Sequence, residues 1–166
     1  DGTTGARIRE AQHKAVELIP GSGIASINDL AYPYEYDEIH PRRKKEVGER
    51  LSYLALNRTY GKDYLPCEGP RFKSYEVRGG EIEVAFYNGE SGFSPWHDIV
   101  GFEIAGEDKV FHPAEIRRGT QLNTVIVKSG KVPAPVAVRY CFRDFQVGNF
   151  TGRRCLPVIP FRTDNW

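Results

Sequence analysis

At 166 residues with 40% hydrophobic content, the chain can build one moderate domain or two small ones, each with a limited core. Its 23 basic and 22 acidic residues leave a formal net charge of +1, which excludes a global field that would recruit nucleic acid or an anionic membrane surface. No apolar stretch approaches the length needed to cross a bilayer, and no signal peptide is visible in these residues. With no methionine and Asp1 at its start, the chain is expected to be a processed product or an excised fragment of a longer precursor.

In chain order, residues 6–19 carry Ile8, Ala11, Ala15 and Leu18 at helical spacing, and Pro20-Gly21 ends this predicted helix. The run 23–27 reads as a short strand apolar on both faces, the kind found inside a parallel sheet. A loop over 28–39 follows. Pro41 fits the first position of a second helix, where its missing N–H is not needed. Val47, Leu51, Leu54 and Ala55 form the apolar stripe of that helix, Glu46 and Arg50 a surface pair, and Gly61 the stop. Arg42, Arg43, Lys44 and Lys45 read as its solvated first turn, with a phosphate or sialate contact as the sharper alternative. A parallel strand needs neighbours and its helices need a sheet to cover. Residues 1–66 are therefore expected to close a larger α/β domain whose earlier strands lie outside this sequence.

The texture changes near residue 66, and residues 67–166 form the second expected unit. Residues 74–78 and 81–86 alternate around Gly79-Gly80, a linker suited to a hairpin with positive φ. Further strands are predicted at 101–105, 110–117, 123–128 and 136–142. Several short strands at this spacing indicate an antiparallel sandwich. Its inward residues are expected to be Tyr75, Val77, Ile82, Val84, Phe102, Ile104, Val125, Val127, Val138 and Tyr140. The Pro- and Gly-rich tail 148–166 is expected to wrap an edge or pack back on the first unit.

The chemistry-bearing segment is Asp37-Glu38-Ile39-His40-Pro41. At the carboxyl edge of a strand, the ring of His40 would face a cleft. Asp37, three residues earlier, could hydrogen-bond one ring nitrogen, fixing the tautomer and stabilising the imidazolium formed when the other nitrogen takes a proton. The bland alternative is a His that caps the helix beside a solvated Asp. Glu38 and Asp29 are further candidates for the acid, although an Asn28-Asp29 pair ordinarily serves a turn. Tyr32, Tyr34 and Tyr36 either wall a substrate cleft or pack the loop onto its scaffold.

The remaining groups weigh toward structure. Cys67, Cys141 and Cys155 lack zinc-site spacing; an oxidising compartment would permit a Cys141–Cys155 disulfide, and nothing places a base beside Cys67. Asn57-Arg58-Thr59 and Asn149-Phe150-Thr151 match the glycosylation sequon weakly. Trp96 with His97 reads as a buried core tryptophan before a sugar platform. His112 has no metal spacing. Ser91, in Gly89-Glu90-Ser91-Gly92, reads as a turn after a strand and not as a nucleophile elbow.

Several separated blocks resemble one family. Arg9-Glu10-Ala11-Gln12, Ile39-His40-Pro41, Lys45-Glu46-Val47-Gly48-Glu49-Arg50-Leu51, Ala55-Leu56-Asn57 and Thr59-Tyr60-Gly61 resemble sialate O-acetylesterases of the SGNH/GDSL hydrolase class. Residues 101–109, Val136-Ala137-Val138-Arg139-Tyr140, Leu156-Pro157 and Pro160-Phe161-Arg162-Thr163-Asp164 resemble the same family's C-terminal β region. The resemblance implies an α/β plus β fold: the closing helix-strand-helix segment of a flavodoxin-like SGNH hydrolase core over 1–66, then an antiparallel β-sandwich accessory region over 67–166. It implies O-deacetylation of sialic acid or a related acetylated sugar, with His40 as base and Asp37 as acid, and with no metal or organic cofactor. It also implies a secreted, periplasmic or lysosomal setting. The family's serine nucleophile and its oxyanion-hole glycine and asparagine are not among these residues, so an N-terminal SGNH core segment of the same precursor is the expected partner, and the chain alone is expected to be inactive. The alternative is a non-catalytic carbohydrate-binding or structural β-sandwich module.

Overall fold

A computed structural model describes residues 2–166. Two helices, α1 (Thr4–Leu18) and α2 (Lys44–Arg58), precede ten strands. These are β1 (Arg71–Arg78), β2 (Glu81–Tyr87), β3 (Phe93–Ser94), β4 (Phe102–Ala105), β5 (His112–Pro113), β6 (Glu115–Arg118), β7 (Thr124–Lys128), β8 (Ala137–Tyr140), β9 (Thr151–Gly152) and β10 (Phe161–Arg162). All pairings are antiparallel. One four-stranded sheet runs β1-β2-β7-β6, a second β10-β8-β4-β5, and β3 pairs with β9.

Alternation along the strands explains the core. Ile82, Val84, Val125 and Val127 of the first sheet and Ile104, Val138 and Tyr140 of the second form one buried cluster, completed by Phe86, Phe93, Phe102, Phe150 and Phe161. The rings meet edge-on or stacked, as between Phe86 and Phe161 at 5.6 Å and between Phe93 and Phe150 at 4.9 Å, arrangements that suit the aromatic quadrupole. Tyr75 and Val77 depart from the expectation. Their partners across the strand pair are Val84 and Ile82, yet they remain 43% and 47% exposed, because β1 is an edge strand at the margin of the layer.

The predicted strand over 110–117 is two strands. β5 pairs with β4 in one sheet and β6 with β7 in the other, the chain passing between layers at Ala114, whose N–H donates to Phe102 O at 3.1 Å. Pro113, which has no N–H to give a ladder, marks the break. The hairpin at Gly79-Gly80 forms as expected, with Gly79 at φ +61.

The first part of the chain departs further. Residues 23–27 form no strand and pair with none among the described residues, so the expected parallel strand is absent from this structure, since nothing flanks it to receive its hydrogen bonds. The stripe on α1 is not buried: Ile8 is 56% and Leu18 82% exposed. Helix α2 begins at Lys44, three residues after Pro41, because the intervening backbone is tied to Glu35 through the Arg42 N–H at 3.1 Å. Glu46 pairs with Arg43 at 2.8 Å, while Arg50 turns inward to Asp29 at 2.6 Å.

Polar contacts carry α1 onto the sandwich. Arg139 of β8 forks onto Asp164 at 2.8 and 2.7 Å, and this carboxylate, fully buried, also attracts Arg162 at 3.9 Å. Arg162 in turn forks onto Glu10 of α1 at 3.1 and 3.0 Å. At the other end of the helix the Gly5 N–H donates to Asp144 Oδ1 at 2.6 Å, and Arg9 donates to the carbonyls of Arg143 and Asp144. The tail thus packs back on the first helix. Close approach elsewhere admits only glycine: a Cβ at Gly69 would collide with the backbone of Pro157.

Two outcomes are expected. Asp164→Ala leaves Arg139 buried without its carboxylate partner, and urea unfolding should show a loss of about 3 kcal/mol. His13 of α1 is half-buried near Glu68 and Arg71, and burial, the largest influence, holds its pKa below the ordinary 6.5. A depressed folded-state pKa means that the neutral ring is preferred in the folded chain. Its contribution is complete above pH 6.5 and is lost as pH falls from there through the folded pKa. Unfolding midpoints between pH 7.5 and pH 5 (about two and a half decades of proton activity) should therefore fall less steeply in His13→Gln than in the wild type.

Candidate active site

The loop between residues 30 and 43 carries Asp37 and His40, and a buried carboxylate holds it. Pro33 opens a 3-10 turn, Pro33–Glu35, and Glu35 stands at its third position with 1% exposure. Glu35 Oε2 accepts the Tyr32 N–H at 2.8 Å and Oε1 the Arg42 N–H at 3.1 Å, while the Arg42 Nε lies 3.8 Å away. The Glu35 carbonyl accepts the Glu38 N–H at 3.0 Å. One side chain thereby ties both ends of the loop. The spacing of Pro33 and Glu35 is a legible signal, since proline at the first helical position and glutamate at the third is how a helix start satisfies its free N–H groups.

A second tie lies beneath. Arg50 of α2 forks onto the Asp29 carboxylate with both distances at 2.6 Å and donates to Ser26 O at 2.7 Å; Arg43 donates to Asp29 O at 3.2 Å. Asp29 is thus engaged in holding the 26–29 turn on α2.

Asp37 and His40 are both exposed on the held loop, three residues apart, with no hydrogen bond between them among the described residues. Glu38 is exposed beside them. Tyr32 and Tyr34 stack at 5.3 Å with 5° between their planes, and the Arg42 guanidinium sits 5.6 Å from the Tyr34 ring centre. Tyr34, Tyr36 and Ile39 present apolar surface to solvent around His40, a surface suited to the nonpolar face of a ligand.

The other singled-out groups take structural places. Ser91 lies in a turn closed by the Gly92 N–H on Gly89 O at 2.8 Å. Cys67, Cys141 and Cys155 are all free. The Cys141–Cys155 bond that an oxidising compartment would permit is not formed here: Cys141 is packed in the core and Cys155 lies exposed in the 152–155 turn. Burial pushes the Cys141 thiol up to about 12, and burial together with Glu68 raises Cys67, so neither is an activated nucleophile. Asn57 donates to Leu65 O at 2.8 Å and Asn149 to Asp98 O at 2.7 Å, so both sequon asparagines hold loops. Among the described residues no three His, Cys, Asp or Glu side chains gather as a metal site would require.

Glu35→Gln replaces one acceptor oxygen by a donor that faces an N–H. The expected cost is about 2 kcal/mol in urea unfolding, with faster hydrogen exchange at Tyr32, Glu38 and Arg42 than at the amides of α2.

No protein-family model matches the chain, and no curated protein matches it. Among solved structures it is similar to a crystal structure described as a novel carbohydrate acetylesterase from Xanthomonas citri, with a TM-score of 0.86 and 38% sequence identity. The match covers 100% of this chain and 38% of that one, so the chain spans well under half the length of the protein it resembles.

Proposed function

We propose that this chain is the C-terminal part of a carbohydrate acetylesterase of the sialate O-acetylesterase type, in which residues 1–66 close an SGNH hydrolase core and His40 and Asp37 serve as base and acid. The observation that carries the reading is the likeness of this whole chain, at 38% identity, to 38% of the length of a carbohydrate acetylesterase; the exposed Asp37/His40 loop pinned by Glu35 supports it. The serine nucleophile and oxyanion donors would come from the preceding part of the precursor, and the acetylated sugar would be a sialic acid or a relative. Extracytoplasmic placement, secreted, periplasmic or lysosomal, belongs to the same proposal.

In this reading His40 takes the serine proton as the serine oxygen attacks the acetyl carbonyl carbon, then returns it to the departing sugar oxygen. A water that gives its proton to His40 next cleaves the acetyl-enzyme, releasing acetate and restoring the serine. Asp37 orients the ring and offsets its transient charge. Donors on the precursor's core stabilise the tetrahedral oxyanion. The exposed tyrosines beside His40 would line the sugar.

The test is hydrolysis of an aryl acetate and of O-acetylated sialic acid by the full-length precursor. His40→Ala should lower kcat by about 10³-fold or more with the fold intact, and Asp37→Ala by a smaller or equal factor. Unchanged turnover in His40→Ala would overturn the catalytic reading and leave the chain as an accessory module.

A further inference from the structure

A second constellation lies on the sandwich, where three turns converge: 88–92 after β2, 118–122 between β6 and β7, and 152–155 after β9. With Trp96 they line an open cavity of about 290 Å³ whose lining includes Ser91, Trp96, Arg118, Gln121, Leu122 and Arg153. The turns are held from behind. Buried Glu83 accepts the Thr120 N–H at 2.6 Å and the hydroxyls of Thr120 and Thr124 at 2.7 Å, and pairs with Arg78 at 2.5 Å. A side chain at Gly119 would collide with Thr124 and Glu83. The Arg153 N–H donates to Gly92 O at 3.0 Å, joining two of the turns. The walls are therefore formed before any ligand arrives.

The charge of this cavity is one-sided. Its lining has two arginines and no carboxylate. Arg117, next in sequence, holds Glu81 at 2.6 Å, whereas the Arg118 guanidinium lies over the Trp96 indole, 5.1 Å from the ring centre. Among the described residues, neither the Arg118 nor the Arg153 side chain pairs with a carboxylate or donates a hydrogen bond to a protein acceptor. Trp96 itself is fixed edge-on against Phe93 and Phe150. A guanidinium with no protein acceptor keeps its N–H donors for a planar anion. The same lining holds the amide of Gln121, the hydroxyl of Ser91 and the apolar side chain of Leu122, the mixture of donors, acceptors and hydrocarbon that a pyranose ring requires.

We propose that this cavity is a binding subsite for a carboxylated sugar, its carboxylate held by Arg118 and Arg153. Ser91 and Arg153 also line an adjoining cavity of about 260 Å³ that continues past Asn88, Glu90 and Arg154 to Asn57 of α2 and whose wall carries Asp63 and Glu68. That continuation leaves room for a neutral neighbouring sugar of a glycan chain, the anionic one lying on the arginine-only side. The inference goes beyond the esterase reading and stands on binding alone.

The experiment is an NMR titration of the full-length precursor with methyl β-D-glucuronide, methyl β-D-glucoside and inorganic sulfate. The glucuronide should bind saturably, with shifts at Trp96 and the 118–122 turn, and the glucoside at least about tenfold more weakly. Arg118→Ala and Arg153→Gln should each lower glucuronide affinity by about tenfold, with the remaining spectrum unchanged, and Arg117→Ala should leave it as in the wild type. The proposal is overturned by non-saturable glucuronide binding, by equal affinity for the glucoside, by sulfate displacing the glucuronide at equal concentration, or by affinity that neither cavity arginine affects. Because the readout is binding, loss of the esterase reading through an active His40→Ala precursor would leave this result untouched, and the converse holds.

Discussion

The buried Asp164 carboxylate is the constraint on which the molecule's assembly turns. It sits two residues beyond the last strand, receives the fork of Arg139 from β8 and faces Arg162 from β10, and Arg162 carries the connection on to Glu10 of α1. A hydrophobic contact tolerates sliding, whereas the two bidentate pairs at either end of this chain of ion pairs, Arg139–Asp164 and Arg162–Glu10, specify distance and angle. That matters here because α1 has little apolar surface engaged and would otherwise lack a defined seat. The cost of burying such charges is met by completeness of pairing: Arg139 also donates to Trp166 O at 3.1 Å and stacks on Phe111 at 4.0 Å.

The same device recurs where the candidate chemistry lies. Arg50 and Asp29 set the 26–29 turn on α2, and Glu35 closes the loop above it. Between these anchors Asp37, Glu38 and His40 remain in solvent, surrounded by exposed tyrosines. The frame fixes the backbone from which Asp37, Glu38 and His40 project. The cavity at Trp96 repeats the arrangement with Glu83 as the buried anchor and Arg118 and Arg153 as the free groups.

The sandwich was legible because its signal is local. Alternation in 81–86 and 123–128 and the Gly79-Gly80 turn specify strands and register without reference to anything distant. Layer assignment is a different matter: nothing near Ala114 announces that the chain changes sheets there, and the burial of Tyr75 and Val77 depends on how far the facing sheet extends. In the first part the spacing rules located both helices, but not what they touch. Arg50 reads equally well as a partner of Glu46 one turn away or of Asp29 across a loop, and only tertiary placement decides. At the candidate site Asp37 and His40 stood out by their chemistry, while Glu35 did not, because a buried glutamate between two exposed tyrosines looks like any surface acid until the Pro33–Glu35 spacing is weighed.

The passage of the chain through Ala114 has a consequence for how the molecule comes apart. One seven-residue stretch supplies β5 to one layer and β6 to the other, so each layer's outer border is covalently continuous with its opposite number. Peeling either border withdraws the other, and separation of the layers cannot proceed as independent fraying. Loss of structure in the sandwich is thereby coupled across both faces, which raises the cooperativity of a small domain whose layers might otherwise open one at a time.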